Sequence, residues 1–379
     1  MTETMQRAER APAEVAVSVV DADVHPVPRS AAELGAYLPE PWRSQEWPKR
    51  LFSGGSGDTL ALYTAPGKAQ RGDAHPPGGG PPCSDPAFTE RQLFGDAALD
   101  MAILIPLTAP RPMANPEHEA AAAAATNAWL AKTWLSRYNG HGRYRGTLRV
   151  GTGSAELAVR EIERWAGHAG FVQVMLNPYV RAPLGQPQYY PIYEAAARHD
   201  LPVAVHVNRG GGMALLTPLG YVSYFWEHHA LYPLLFATHL LSLLCEGVFE
   251  RFPTLTFVFV EGGFGWFLPL LWRLDKHWHA LRSEIPALRR RPSDYVREHI
   301  RFTSQPIEEP QEPAHLTRVL EWLDAERILL FATDYPHWDG DYDPKRLFRG
   351  LSAHARQRIL CENARELYRL PPARPADGT

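Results

Sequence analysis

"YYPIYEAAARHDLPVAVHVN", residues 189–208, reads as a helix over 190–200 followed by a short apolar strand over 202–206 that ends on His206. A helix that feeds a strand is half of a repeating βα unit, and the rest of the chain repeats it. Further β-type runs fall at 17–23, 102–106, 146–150, 171–176, 255–260, 299–303 and 327–332, which with 202–206 makes eight. Helix-compatible stretches alternate with them at 116–138, 154–168, 190–200, 229–251, 264–282, 312–324 and 344–350, and a last helix is expected at 353–369. Eight such units predict an α/β fold, a (β/α)8 TIM barrel forming a single domain over 17–370, although an open doubly wound sheet has the same local pattern.

Two segments interrupt the repeat. A Pro/Gly-rich insertion after strand 1, taken over 43–98, contains "SGGSGDTL" and "HPPGGGPPCSDP", whose glycines and prolines break both helix and strand and predict a long loop. The stretch 207–228 joins a triple glycine to an aromatic cluster directly after a strand, and reads as a substrate-facing lid, as barrel padding or as an oligomer contact. The tails 1–16 and 371–379 are expected to be disordered.

The composition excludes several functions. In 379 residues the net charge is −3, with 45% apolar and 21% charged residues, so neither nucleic-acid binding nor disorder is indicated. No stretch has 18 uninterrupted apolar residues, and the first twenty lack a leader-like apolar core, which predicts no membrane partner and a cytoplasmic enzyme. Cys83, Cys245 and Cys361 stand far apart without a CxxC spacing and are expected to be reduced packing residues. HExxH, GxSxG and Walker patterns are absent.

The chemistry gathers at strand ends. Asp23 and His25, two apart in "VVDADVHPVP" (19–28), can face one side of an extended strand, and Pro26 and Pro28 stop it from continuing. His206 ends the fifth run, Glu261 follows the sixth in "LTFVFVEGG", and Asp334 closes the eighth in "FATDYPHWD". One acidic or imidazole side chain at a strand end is ordinary turn chemistry. Four ends drawn from the metal-ligating set, which a barrel brings to one mouth, could hold a divalent ion with a position left open. His239, on the apolar stripe of "FATHLLSLLCEGVF", reads as a satisfied core histidine, and of the adjacent His228 and His229 at most one could serve a metal.

"DADVH", "VAVHV", "GVFERFPTLTFVFVEGG" and "FATDYPH" together resemble the amidohydrolase superfamily, in the amidohydrolase-related branch that includes aminocarboxymuconate-semialdehyde and resorcylate decarboxylases. The resemblance implies a metal held by Asp23, His25, His206 and Asp334, and a homodimer. Two departures stand out: Asp23 occupies the place of a commoner histidine, and Glu261 that of a histidine before the glycines. Two carboxylates with two imidazoles suit Zn2+, with Mn2+ or Mg2+ as alternatives.

Asp334 and Glu261 are the expected catalytic groups. Asn208, Arg209, Trp226, His337 and Trp338 are the expected contacts to a small-molecule substrate. Hydrolysis of an amide, ester, lactone or activated carbon–carbon bond is the first reading, since Glu261 could serve as a base for water. The alternatives are non-oxidative decarboxylation of an aromatic or unsaturated acid, and a barrel that binds without turnover.

Overall fold

Eight parallel strands, hydrogen-bonded in strict sequence order, form the centre of the molecule. They are β1 (Val20–Val24), β2 (Met101–Leu104), β3 (Tyr144–Arg149), β4 (Phe171–Leu176), β5 (Val203–His206), β6 (Phe257–Val260), β7 (Ile300–Thr303) and β8 (Leu329–Leu330). The seam between last and first strand closes through Ala22 N–H to Phe331 O at 2.9 Å and His25 N–H to Tyr335 O at 2.8 Å, so the sheet is a (β/α)8 barrel. The computed structural model describes residues 18–44, 70–107, 115–207 and 224–372. The expected tails lie almost wholly outside the described residues.

The strands read as continuous apolar runs because both faces are covered. Val20, Ala22, Ile103, Ala204, Val258, Val260 and Leu330 fill the barrel. Their alternates Leu104, Val205, Phe257, Phe259 and Phe302 pack outward with helix residues such as Trp129, Ile192, Tyr193, Phe236 and Leu240. Among the described residues, no helix is long and apolar enough to cross a membrane.

The structure revises several boundaries. The helix expected over 229–251 is three: Phe225–Ala230, Tyr232–Cys245 and Val248–Arg251. The last break falls at Gly247, whose φ of +69° and close approach to Ala287, 2.7 Å from where a Cβ would sit, suit only glycine. The strand expected over 327–332 shrinks to Leu329–Leu330, and its first two residues, Arg327 and Ile328, instead end the helical turn Ala325–Ile328. A helix at Pro292–His299 was not expected; Pro292 sits in its first turn, where its missing N–H costs nothing. The described part of the insertion is not all loop. Asp85 caps Pro86–Glu90 by accepting from the Ala87 and Phe88 amides, and the chain continues as a wider π-type turn over Arg91–Asp96. The final helix is interrupted by a π-type segment at Arg358–Glu362. Cys83 and Cys361 are buried as expected, whereas Cys245 is exposed.

Candidate metal centre

The first strand is irregular where it matters. Its register against β2 shifts between Asp21 and Val24. Such a bulge re-aims side chains: Val20 and Ala22 belong to the barrel interior and Val24 to the outer cluster, so Asp23 and His25 turn inward beyond Ala22. His25 Nδ1–H donates to Ile105 O at 2.9 Å, which turns Nε2 inward. That nitrogen lies 2.6 Å from Asp334 Oδ1 and 3.3 Å from Asp23 Oδ1. His206, the last residue of β5, repeats the arrangement: Nδ1 meets the Val207 carbonyl, and Nε2 stands 3.4 Å from both Asp23 Oδ2 and Glu261 Oε2.

Asp334 and Glu261 follow β8 and β6 in left-handed backbone conformations, with φ of +59° and +58°. A non-glycine residue adopts this region at a cost of about 1 kcal/mol, and here it turns each carboxylate back over the barrel mouth. The Glu261 amide donates to Thr303 Oγ1 at 3.1 Å. Asp334 Oδ1 meets two imidazoles, His25 Nε2 and His337 Nδ1, each at 2.6 Å. Burial pushes the Asp334 carboxyl up, but the His337 and His25 imidazoles outweigh it and hold the group well below the usual carboxylate range. Burial draws His25 down, yet Asp23 and Asp334 push it up to about 9, whereas burial dominates at His206 and lowers it.

The donor set fits a metal ion. Asp23, His25, His206 and Asp334 are each at most 2% exposed. Asp23 Oδ1 and Oδ2, His206 Nε2 and Asp334 Oδ2 make no hydrogen bond, because the carboxylate–imidazole contacts at 3.3 and 3.4 Å are not aligned as one. Each such buried orphan costs about 1–3 kcal/mol, a cost that a cation bound among these side chains would relieve. The ligating atoms of Asp23, His25 and His206 lie within 4.8 Å of one another, as do those of His25, Asp334 and His337.

Other expected residues lie elsewhere. Asn208 and Arg209, with most of the 207–228 stretch, are outside the described residues. Trp226 and Trp338 are 79% and 55% exposed and do not enter the cluster. His239 is fully engaged by backbone, accepting the Leu184 N–H at 3.2 Å on Nδ1 and donating from Nε2 to Pro178 O at 2.8 Å. His229 Nε2 stands 3.3 Å from Asp339 Oδ2 and so links its helix to the loop after β8. Asp21 was missed. It is wholly buried beside the cluster, and burial pushes its carboxyl up to about 7 against hydrogen bonds from Thr333 and the Asp23 amide. Its spacing of two from Asp23 was the available signal.

A family model described as Amidohydrolase matches residues 20–370. Gamma-resorcylate decarboxylase of Polaromonas sp. (strain JS666) is 28% identical over 246 residues, covering 60% of this chain and 71% of the relative. Among solved structures, 2,6-dihydroxybenzoate decarboxylase from Rhizobium superposes with a TM-score of 0.64 at 19% identity, covering 93% of this chain and 99% of its own. A point mutant of 5-carboxyvanillate decarboxylase from Novosphingobium aromaticivorans, solved with bound manganese and 3-methoxy-4-hydroxy-5-nitrobenzoic acid, gives 0.67 at 17% identity, with 94% and 98% covered.

Proposed function

The chain is an enzyme of the amidohydrolase family, and on that premise we propose that it is a metal-dependent decarboxylase of a hydroxylated aromatic or otherwise unsaturated carboxylic acid. The observation that carries this reading is two buried ligand groups that share His25, one with Asp23 and His206 and one with Asp334 and His337, in which four polar atoms have no hydrogen-bond partner. Decarboxylation is preferred over the hydrolysis first expected from Glu261 because the resorcylate decarboxylases support it.

Asp23, His25, His206 and Asp334 would hold the ion. When bound, a divalent cation supplies Lewis acidity to the oxygens of a coordinated acid and its neighbouring hydroxyl. Two oxygen and two nitrogen donors suit manganese as well as the zinc expected from sequence, and the manganese-bound carboxyvanillate decarboxylase supports manganese. Both histidines keep Nε2 turned inward because backbone carbonyls occupy Nδ1. Asp334, between two imidazoles, stays an anion and an acceptor. Glu261, buried beside His206, is the carboxyl we assign to protonate the ring carbon. As the carbon–carbon bond breaks its electron pair takes that proton, carbon dioxide leaves, and Glu261 regains a proton from solvent. His337 orients Asp334, and Asn208 and Arg209 are assigned to the substrate side. We also read 17–370 as one domain that pairs as a homodimer.

The test is incubation of the metal-reconstituted protein with 2,6-dihydroxybenzoate and a panel of aromatic acids, amides and lactones in isotopically labelled water. Carbon dioxide released without oxygen label in the product is expected. Label incorporation without carbon dioxide would overturn decarboxylation. His206→Ala should remove both metal and turnover; loss of metal with ligand binding unchanged would instead indicate a binding barrel.

A further inference from the structure

We propose that Asp21 is a positioning residue that, through Thr333, sets the separation of Asp23 and Asp334 and thereby the affinity of the site for its ion. This rests on the reading of Asp23 and Asp334 as ligands. Neither Asp21 nor Thr333 is exposed at all. Asp21 Oδ1 accepts two backbone amides, Asp23 N–H at 3.0 Å and Thr333 N–H at 3.0 Å. Its Oδ2 accepts the Thr333 hydroxyl at 2.5 Å. That hydroxyl oxygen in turn accepts Tyr335 N–H at 3.1 Å. The carboxylate therefore grips one ligand by its own amide, and the other by the residue before it and, through the hydroxyl, by the residue after it. Asp334, whose left-handed φ would relax if its neighbours moved, is bracketed from both sides.

The position of this clasp explains why a carboxylate is needed. The seam between β1 and β8 has backbone rungs at Ala22 to Phe331 and at His25 to Tyr335, and the bulge of β1 lies between them. Across that gap the Asp21 side chain supplies the missing acceptors for Asp23 N–H and Thr333 N–H. With Oδ1 taking two donors and Oδ2 a third, Asp21 has its own contacts filled and does not join the ligands; it acts on the ion only by placing them. Residues that hold metal ligands from behind are worth about 10–100-fold in metal affinity.

Thr333→Val removes the hydroxyl and keeps the side-chain shape, Thr333→Ser restores it, and Asp21→Ala removes the clasp. Manganese affinity is measured by chelator competition on protein shown to be folded by circular dichroism, and the visible absorption of the cobalt-loaded protein reports the ligand geometry. Thr333→Val is expected to weaken manganese about 10–100-fold and shift the cobalt bands, with Thr333→Ser returning both toward the unsubstituted protein. Asp21→Ala is expected to exceed Thr333→Val if it folds, and Thr333→Val alone decides the matter if it does not. Unchanged affinity and cobalt spectrum, with only lower thermal stability, would mean that the clasp is part of the seam and nothing more. Should the unsubstituted protein take up no ion, the metal reading itself fails and this inference with it.

Discussion

His239 offers a sharp test of the line drawn between core and site. It projects from the helix Tyr232–Cys245, is 3% exposed, and has both ring nitrogens bonded to the chain beyond β4. Burial pulls its pKa from 6.5 down to about 4, with the Pro178 carbonyl bond opposing weakly. The unfolded chain thus takes up a proton near pH 6.5 that the folded chain refuses until near pH 4, so stability falls as pH drops through that window. Linkage puts the loss at about 2 kcal/mol between pH 7 and 5, and about 3 kcal/mol over the whole window. His239→Gln keeps a donor and an acceptor but no titration. Equilibrium urea unfolding of both proteins at pH 7 and 5 isolates the difference from every other titrating group. The unsubstituted protein should lose about 2 kcal/mol more than the variant. Parallel losses would refute the account, and loss of metal from His239→Gln would move this residue from the core to the site.

Three further outcomes follow from the geometry. Gly262→Ala would place a Cβ 2.2 Å from Phe236 Cδ2, a ring that is wholly buried against Phe259; a loss of about 1–3 kcal/mol and a lowered melting temperature are expected, and an unchanged one would count against the packing described. Asn127 holds the end of β3 by accepting Arg149 N–H and donating to Arg149 O, both at 2.8 Å, so Asn127→Ala strands two buried backbone groups and should cost about 2–5 kcal/mol in denaturant titration. Glu261→Gln should keep its metal in chelator titration while slowing carbon dioxide release about 10²–10⁴-fold; an equal loss of metal would make Glu261 a ligand instead.

The barrel was legible because parallel strands buried on both faces spell apolar runs, and because Asp23, His25, His206, Glu261 and Asp334 each follow or end one. Periodicity gave no direction for aromatic side chains, so Trp226 and Trp338 entered the expected substrate wall although they face solvent. The short last strand was overestimated because Ile328 continues the apolar run that follows it, and composition does not show that the backbone there is still helical. His337 is expected from sequence as a substrate contact, but its hydrogen bond to Asp334 depends on the turn after β8, which residue spacing does not specify. Asp21 stayed hidden because Thr333, its main partner, lies at the far end of the chain, and a spacing of two from Asp23 does not say what the side chain bonds.

Glu261 and Asp334 share one backbone trait with a consequence for how this site can change over time. A left-handed φ of about +58° to +59° admits aspartate, asparagine, histidine and glycine readily, admits glutamate at modest strain, and all but refuses valine, isoleucine and threonine. The repertoire at these two corners is therefore filtered by the main chain before any selection on chemistry acts. Position 261 can pass between a carboxylate, an amide and an imidazole without disturbing the barrel beneath it, so new reactions become reachable by single substitutions at the mouth while the strands that carry it stay as they are.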